Sequence, residues 1–359
     1  MLRENYFDNA STTPLDPRVL EAMLPYLNDD FGNAHSIHQL GLRARAGVEK
    51  AREQVGAALG NEPGSVYFTS GATEANNWVI SLFDSGIISP FEHSSVRIPA
   101  LASGFTVADF EKGLPKGPVS VEYELQAVMA VSNEFGRWWN GPSIGGAHFL
   151  CDATQGLGKL DVALFAADFK TASGHKIYGP KGVGVVSTEQ EMDPLFLGGG
   201  QELGMRAGTL NVPGIVGFGK ACEIAMEERE KNWNHAELCR NAVLKELESV
   251  SDWQVNGVFD ENLPASGNVP HILSLSFLGL QGETLVVECD NHGFAISAGP
   301  ACSSESKELS PSLLALGLSP QWAEGSVRLS FGKFNTPESA ARLGKVLASC
   351  ANSLRNRRT

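Results

Sequence analysis

Ser173-Gly174-His175-Lys176, followed by Gly179-Pro180-Lys181-Gly182-Val183-Gly184, is the most informative stretch of this 359-residue chain. The lysine has a turn before it and a short apolar strand pattern, residues 183–186, after it. This setting favours a lysine that is held rigidly in a pocket. A held, desolvated lysine can lose its proton and form a Schiff base with an aldehyde. A loop lysine is usually only a solvated charge, so this interpretation depends on the rest of the chain.

Short β-rich runs alternate with helical patterns on both sides of this stretch, from about residue 16 to residue 226. The predicted strands are 66–69, 86–89, 127–132, 148–151 and 183–186, and the predicted helices are 42–59 and 73–83. Strands that alternate with helices predict an α/β domain with a mostly parallel sheet flanked by helices.

A second domain is predicted after a long helical pattern over residues 215–250, which is broken at most once near 232–235. Beyond it we predict strands at 271–277 and 326–331 and helices at 283–291 and 337–354. Thr336-Pro337 is a typical helix start. We therefore predict a large domain over 11–232 and a small α+β domain formed by 1–10 and 233–359.

The charge balance limits the class of partner. The chain has 28 basic and 41 acidic residues and a net charge of −13, which argues against a nucleic acid or an anionic membrane as main partner. No apolar run approaches the ~20 residues of a membrane span. The six cysteines form no CxxC pair, which favours reduced thiols and a cytoplasmic protein. His35 with His38, and His235 with Cys239, lack a second pair at zinc-finger spacing, so we predict no metal.

Ser70-Gly71-Ala72-Thr73 joins the predicted strand 66–69 to the next helix. Small residues let backbone N–H groups approach an anion, and a helix N-terminus favours negative charge, so a phosphate could bind there. The same residues also fit an ordinary strand-to-helix turn. The chain contains neither a G-K-[ST] loop nor a GxGxxG turn.

Three charged or titratable residues follow or lie in predicted strands. Asp152 could pair with a protonated ring nitrogen while Gln155 donates to a ring oxygen, or it could be a helix N-cap. His93 could stack on an aromatic ligand or act as acid or base, or it could be an ordinary satisfied histidine. Arg328 could clamp a carboxylate or form a structural ion pair.

Cys302 lies among small and hydroxyl residues, which is typical of an exposed loop where a thiol can act as a nucleophile. Cys151, Cys222 and Cys289 fall in apolar patterns and are predicted to be buried and inert.

Taken together, these segments resemble the cysteine desulfurases of the NifS/IscS type, which are pyridoxal-phosphate enzymes of the class V aminotransferase family. The resemblance spans nearly the whole chain and implies the fold type I of pyridoxal-phosphate transferases. Its motifs, in family order, are Tyr6 to Pro14, Gly32-Asn33, Ser36-Ile37-His38, Thr69 to Glu74, Glu92-His93, Asn133-Glu134, Asp152 to Gln155, Ser173 to Lys176, Gly198 to Glu202, Arg206 to Thr209, Ala301-Cys302 and Val327 to Gly332.

The resemblance implies that Lys176 holds pyridoxal 5′-phosphate covalently. Its phosphate would be bound by Ala72, Thr73, Ser173 and His175. Thr209 would reach the phosphate in the neighbouring subunit, which implies a homodimer.

The same resemblance gives His93 the role of stacking on the pyridine ring, Asp152 that of pairing with the ring nitrogen, and Gln155 that of contacting the phenolic oxygen. Asn133 would contact both cofactor and substrate.

For the substrate, L-cysteine, the resemblance implies that Asn33, Asn133 and Arg328 hold the carboxylate. Lys176 and His93 would be catalytic together with Cys302, whose thiolate would attack the substrate sulfur. The products would be alanine and a persulfide on Cys302, which passes its sulfur to an acceptor protein such as an iron–sulfur scaffold.

Some positions depart from the family pattern. Ser94-Ser95 follow the stacking histidine where a second histidine or an alanine is common, Leu203 stands where arginine is frequent, and the region 100–126 is short. Selenocysteine lyase, another class V enzyme and a non-catalytic scaffold are the alternatives. Cys302 argues against a plain aminotransferase. The joint presence of Lys176, Asp152, His93 and Cys302 argues against a scaffold.

Overall fold

A computed structural model describes residues 2–111, 114–115, 123–139, 148–257, 266–298 and 309–356. Its helices are α1 Pro17–Asn28, α2 Gln39–Leu59, α3 Ala72–Ile80, α4 Ser94–Ala102, α5 Val212–Glu227, α6 Arg229–Leu247, α7 Gly282–Asn291, α8 Pro311–Ala315, α9 Pro320–Glu324 and α10 Pro337–Asn356. Its strands are β1 Val66–Thr69, β2 Gly86–Ile88, β3 Thr106–Val107, β4 Phe110–Glu111, β5 Leu114–Pro115, β6 Leu125–Ala127, β7 Arg137–Trp139, β8 His148–Asp152, β9 Phe169–Ser173, β10 Gly184–Thr188, β11 Trp253–Val255, β12 Ser266–Asn268, β13 Ile272–Phe277 and β14 Ser326–Ser330.

A seven-stranded sheet in the order β1-β10-β9-β8-β6-β2-β3 forms the centre of the fold. The pairs from β9 to β3 are parallel, whereas β10 is antiparallel to both β1 and β9. β8, β9 and β10 are buried almost throughout, as expected for strands covered on both faces. The mostly parallel sheet confirms the predicted α/β fold class.

A three-stranded antiparallel sheet, β11-β13-β14, packs with α6, α7 and α10 around a separate apolar cluster. α10 begins as predicted, because the Thr336 hydroxyl accepts a hydrogen bond from the Ser339 N–H at 3.0 Å. Phe7 belongs to this cluster, while Val269 and Ile272 pack in the larger cluster around the central sheet. The precise domain boundaries stay a prediction.

Several predicted elements differ from the structure in their bounds. The strand expected at 127–132 lies at Leu125–Ala127, although residue 130 still donates its N–H to the Asp152 carbonyl of β8. The long helix breaks at Glu228, and not near 232–235, because Asn232 donates its N–H to the Glu228 carbonyl and continues the helix.

The cysteines of the described segments form no disulfide, and the predicted burial of Cys151, Cys222 and Cys289 is confirmed. Within the same segments, every helix is too short or too polar to cross a bilayer.

We expect Phe7→Ala to destabilise the protein by about 3–5 kcal/mol. The ring is fully buried and packs at 5.9 Å from Phe331 and 6.2 Å from Phe294, measured between ring centroids, so its loss leaves a cavity. Urea unfolding measures this cost, and Leu2→Ala is the control because Leu2 is exposed. Equal unfolding free energies for the two variants would contradict a packing role for the N-terminal segment.

Candidate active site

A cavity of about 500 Å³ opens at the carboxyl ends of the parallel strands. His93 follows β2, Asn133 follows β6, Asp152 ends β8, and Lys176 follows β9, and all four line this cavity. Ligands of open α/β sheets bind in this crevice. The structure therefore brings together residues that are far apart in the sequence, at the position that the fold class predicts.

Lys176 lies at the end of a single 3₁₀ turn, Gly174–Lys176, that directly follows β9. Its Nζ donates hydrogen bonds to the carbonyls of Ala10 at 2.6 Å and Ser11 at 2.8 Å. The side chain is half-buried and lines the cavity. The N-terminal motif thus supplies the backbone oxygens that position this amine.

Asp152 is buried, and its carboxylate accepts two hydrogen bonds. One comes from the Thr154 N–H and one from the Asn76 amide, each at 2.9 Å. The contact with Thr154 lies in a turn, so Asp152 is not a helix N-cap. Asn76 in turn accepts from the Thr171 hydroxyl at 2.5 Å, which fixes the orientation of its amide.

His93 caps the N-terminus of α4 with its ring. Nδ1 accepts from the Ser95 N–H at 3.1 Å and lies 2.8 Å from the Ser95 hydroxyl. Burial lowers the pKa of His93, and the positive charges of Lys176 and Arg328 lower it further against the opposing effect of Asp152. The ring is therefore mainly neutral near pH 7.

The N-terminus of α3 forms one end of the cavity, where Ala72, Thr73 and Ser173 line the wall. The approach of two backbone segments here requires glycine, since a Cβ on Gly184 would lie 2.5 Å from the backbone of Gly71. His175 contacts the Thr12 hydroxyl through Nδ1 at 3.1 Å. Burial and the neighbouring Lys176 lower the pKa of His175 to about 4.

Arg328 is buried and forms an ion pair with Asp8, at 2.9 Å between Nη2 and Oδ1. It also donates to the Asn133 carbonyl at 2.8 Å and to the Ser11 hydroxyl at 2.7 Å. The structural ion pair that we considered is thus present, and Arg328 lines the cavity as well.

Three predicted site residues are not placed at this cavity by the described structure. Asn33 and Thr209 are exposed and are not part of its lining. Cys302 lies outside the described residues, so its predicted position stays a prediction.

Asn76, Ser95 and Glu92 were not predicted as part of the site. Asn76 could have been found, because asparagine is unfavourable inside a helix and here stands one turn after Ala72 on the same face. Glu92 is buried and accepts a hydrogen bond from the Met129 N–H at 2.8 Å. Burial raises the pKa of Glu92 to about 8.

Comparison with known proteins adds independent evidence. The family model described as "Aminotransferase class-V" matches residues 5–343. The chain belongs to the class V aminotransferase family. It is 37% identical to cysteine desulfurase IscS 1 of Archaeoglobus fulgidus over 98% of both chains, and 36% identical to cysteine desulfurase IscS of Rickettsia rickettsii over 98% of this chain and 92% of that protein. A solved NifS-like protein superposes with a TM-score of 0.84 at 30% identity, over 98% of this chain and 100% of the other, which confirms the fold.

Pyridoxal 5′-phosphate is the cofactor of this family, and the residues of the cavity fit it. An amine, a buried carboxylate and a helix N-terminus match its aldehyde, its ring nitrogen and its phosphate respectively. The buried atoms Asn133 Oδ1, Thr154 Oγ1 and Arg328 Nε have no hydrogen-bond partner within the described structure. Because buried polar groups are normally paired, these atoms indicate a site for a polar ligand.

Glu92 should make stability fall as the pH rises. Between about pH 4.5 and 8 its carboxyl is protonated in the folded chain and ionised in the unfolded chain, so the folded state binds more protons there. We expect wild-type protein to lose at most ~1.4 kcal/mol per pH unit relative to Glu92→Gln over this range. Urea unfolding of both proteins at pH 5 and pH 8 measures the difference, and a constant difference would show that Glu92 is ionised when folded.

Proposed function

We propose that this chain is a pyridoxal-phosphate-dependent cysteine desulfurase that converts L-cysteine to L-alanine and collects the sulfur as a persulfide on Cys302. One observation carries the proposal. Lys176, Asp152 and His93 line a single cavity in a chain whose relatives, matched over almost their full length, are named cysteine desulfurases.

The proposed cofactor-binding residues divide between the two ends of the cavity. At the phosphate end, the N-terminal turn of α3 with Ala72 and Thr73 supplies N–H groups and the positive end of a helix dipole. Ser173 and His175 line the same end. A neutral His175 donates a hydrogen bond and adds no charge.

At the ring end, the Asp152 carboxylate would pair with the ring nitrogen and keep it protonated, and the bound cofactor would supply an electron sink for carbanion chemistry. His93 would stack on the ring. Gln155 donates to Ala10 at 2.8 Å and accepts from Lys159 at 3.0 Å, so its amide is oriented before a ligand enters. Lys176 would hold the cofactor through its aldehyde, and its amine would serve to move protons.

The proposed substrate-binding residues are Arg328, Asn133 and Asn33. The Arg328 guanidinium is held by Asp8 and Ser11, while its Nε remains for a carboxylate oxygen. Asn133 Oδ1, which has no hydrogen-bond partner among the described residues, would accept from a donor of the substrate or cofactor.

In the sulfur-transfer step the Cys302 thiolate attacks the sulfur of the substrate cysteine. A sulfur–sulfur bond forms and the carbon–sulfur bond breaks, and its electron pair stays with the three-carbon remainder. That remainder takes up a proton at this carbon and leaves as alanine. Cys302 carries the persulfide until an acceptor protein, for example an iron–sulfur scaffold, takes the sulfur.

A homodimer is part of this proposal, because Asn33 and Thr209 lie outside the cavity of their own chain. Both are near exposed apolar residues in the sequence. α1 exposes Leu20, Leu24 and Leu27 on one face, and Phe31, just before Asn33, is 68% exposed. A second copy of the chain would cover these side chains and receive Thr209 at its cavity. The cytoplasm is the proposed compartment, since the described cysteines form no disulfide.

The desulfurase proposal is tested by incubating the cofactor-loaded protein with cysteine. We expect alanine in solution and one added sulfur on the peptide that contains Cys302, because the thiolate accepts the substrate sulfur. Amino-acid analysis and peptide mass spectrometry measure both products.

Two variants separate the proposed role of Lys176 from that of Cys302. Lys176→Ala should lose both products, while Cys302→Ser should keep the yellow colour of the bound cofactor and lose the sulfur adduct. Cysteine turnover by Lys176→Ala would refute the role of the lysine. Selenocysteine turnover that survives Cys302→Ser would favour the lyase alternative.

Leu24→Glu combined with Leu27→Glu should dissociate the dimer, because two charges would enter an apolar interface. Light scattering after size exclusion should give twice the chain mass of 38.3 kDa for wild type and the single mass for the double variant. Leu238→Glu is the control, since Leu238 is an exposed leucine of α6. A wild-type mass of one chain would contradict the dimer.

A further inference from the structure

A chain of buried hydrogen bonds joins Asp152 to His93. Asn76 donates through Nδ2 to the Asp152 carboxylate at 2.9 Å and to the Ser95 hydroxyl at 2.9 Å. The Ser95 hydroxyl lies 2.8 Å from His93 Nδ1, and the Ser95 N–H donates to the same nitrogen at 3.1 Å. Asn76, Ser95 and Asp152 are all buried.

The Asp152 carboxylate and the Ser95 N–H together fix the direction of every hydrogen bond between Asp152 and His93. A carboxylate oxygen only accepts, so it must face the NH₂ group of Asn76, and the amide oxygen then faces the Thr171 hydroxyl. Since an amide nitrogen only donates, the Ser95 oxygen accepts the second proton of Asn76 Nδ2. The Ser95 N–H donates to His93 Nδ1, so this nitrogen carries no proton of its own, and the Ser95 hydroxyl at 2.8 Å is its second donor.

We propose that Asn76 and Ser95 are positioning residues that hold His93 as its Nε2–H tautomer, so that the ring faces a bound ligand as a hydrogen-bond donor and not as a base. Nε2 accepts a proton only if Nδ1 carries one, and an Nδ1–H would point at the Ser95 N–H, which cannot turn away from it. The consequence for catalysis rests on the proposed function: proton abstraction then falls to Lys176, and His93 donates.

Charged groups around His93 act on the same equilibrium. Asp152 of β8 favours the protonated ring, whereas Lys176 after β9 and Arg328 of β14 disfavour it. These groups are unchanged by a substitution at Ser95, so a change in the titration of His93 reports on the loss of the hydroxyl donor.

The experiment is two-bond ¹H–¹⁵N NMR of protein labelled in its eight histidines, in cofactor-free and cofactor-loaded form, with His93 assigned by comparison with His93→Gln. In wild type we expect an unprotonated Nδ1 and a protonated Nε2. Ser95→Ala should increase the protonation constant of His93 about 2- to 10-fold, the equivalent of one ordinary hydrogen bond to the neutral ring.

Ser94→Ala is the matched control, since Ser94 precedes Ser95 in α4 and takes no part in this hydrogen-bond chain. It should titrate as wild type does. A proton on Nδ1 in wild-type protein at neutral pH would overturn the proposal, as would identical titrations for Ser95→Ala and Ser94→Ala. No free L-cysteine is added in these measurements, so they do not depend on turnover. A failure of the proposed desulfurase activity would be seen separately in the persulfide assay.

Discussion

A carboxylate that is removed from water needs hydrogen-bond donors, and Asp152 obtains them from two directions. The Thr154 N–H comes from its own turn, and the Asn76 amide comes from α3. This requirement fixes the position of α3 relative to β8. Because Asn76 also accepts a hydrogen bond from Thr171, α3 is held against β9 as well. Asp152, which lies at the proposed ring end of the cavity, thus positions the helix whose N-terminus lies at the proposed phosphate end. The distance between the two ends is therefore fixed.

The N-terminal segment joins the two parts of the site. Phe7 is buried in the core that packs on β13 and β14, and Asp8 pairs with Arg328 of β14. Two and three residues after Asp8, the carbonyls of Ala10 and Ser11 accept hydrogen bonds from Lys176, which follows β9 of the large sheet. This N-terminal segment therefore sets the distance between the proposed substrate clamp and the proposed cofactor lysine.

Much of this arrangement could be predicted from the sequence, because it depends on local pattern. Alternating strands and helices predicted the sheet, and residues at strand ends, such as Asp152 and His93, were expected at one edge. The role of Ser95 could not be predicted, since its partners Asn76 and His93 meet only when α3 and α4 pack together. The break at Glu228 was also missed. The asparagine-rich sequence near 232–235 resembles a helix end, whereas no glycine or proline marks the actual break in the sequence.

The carbonyl of Ala10 accepts hydrogen bonds from both Lys176 and Gln155. If the lysine amine leaves this carbonyl, as its proposed role requires, the oxygen keeps the Gln155 donor and is not left unsatisfied in the interior. The penalty that normally opposes withdrawal of a buried donor is therefore reduced at this oxygen. The proposed role of Lys176 therefore leaves the Ala10 carbonyl with a hydrogen-bond donor at every stage.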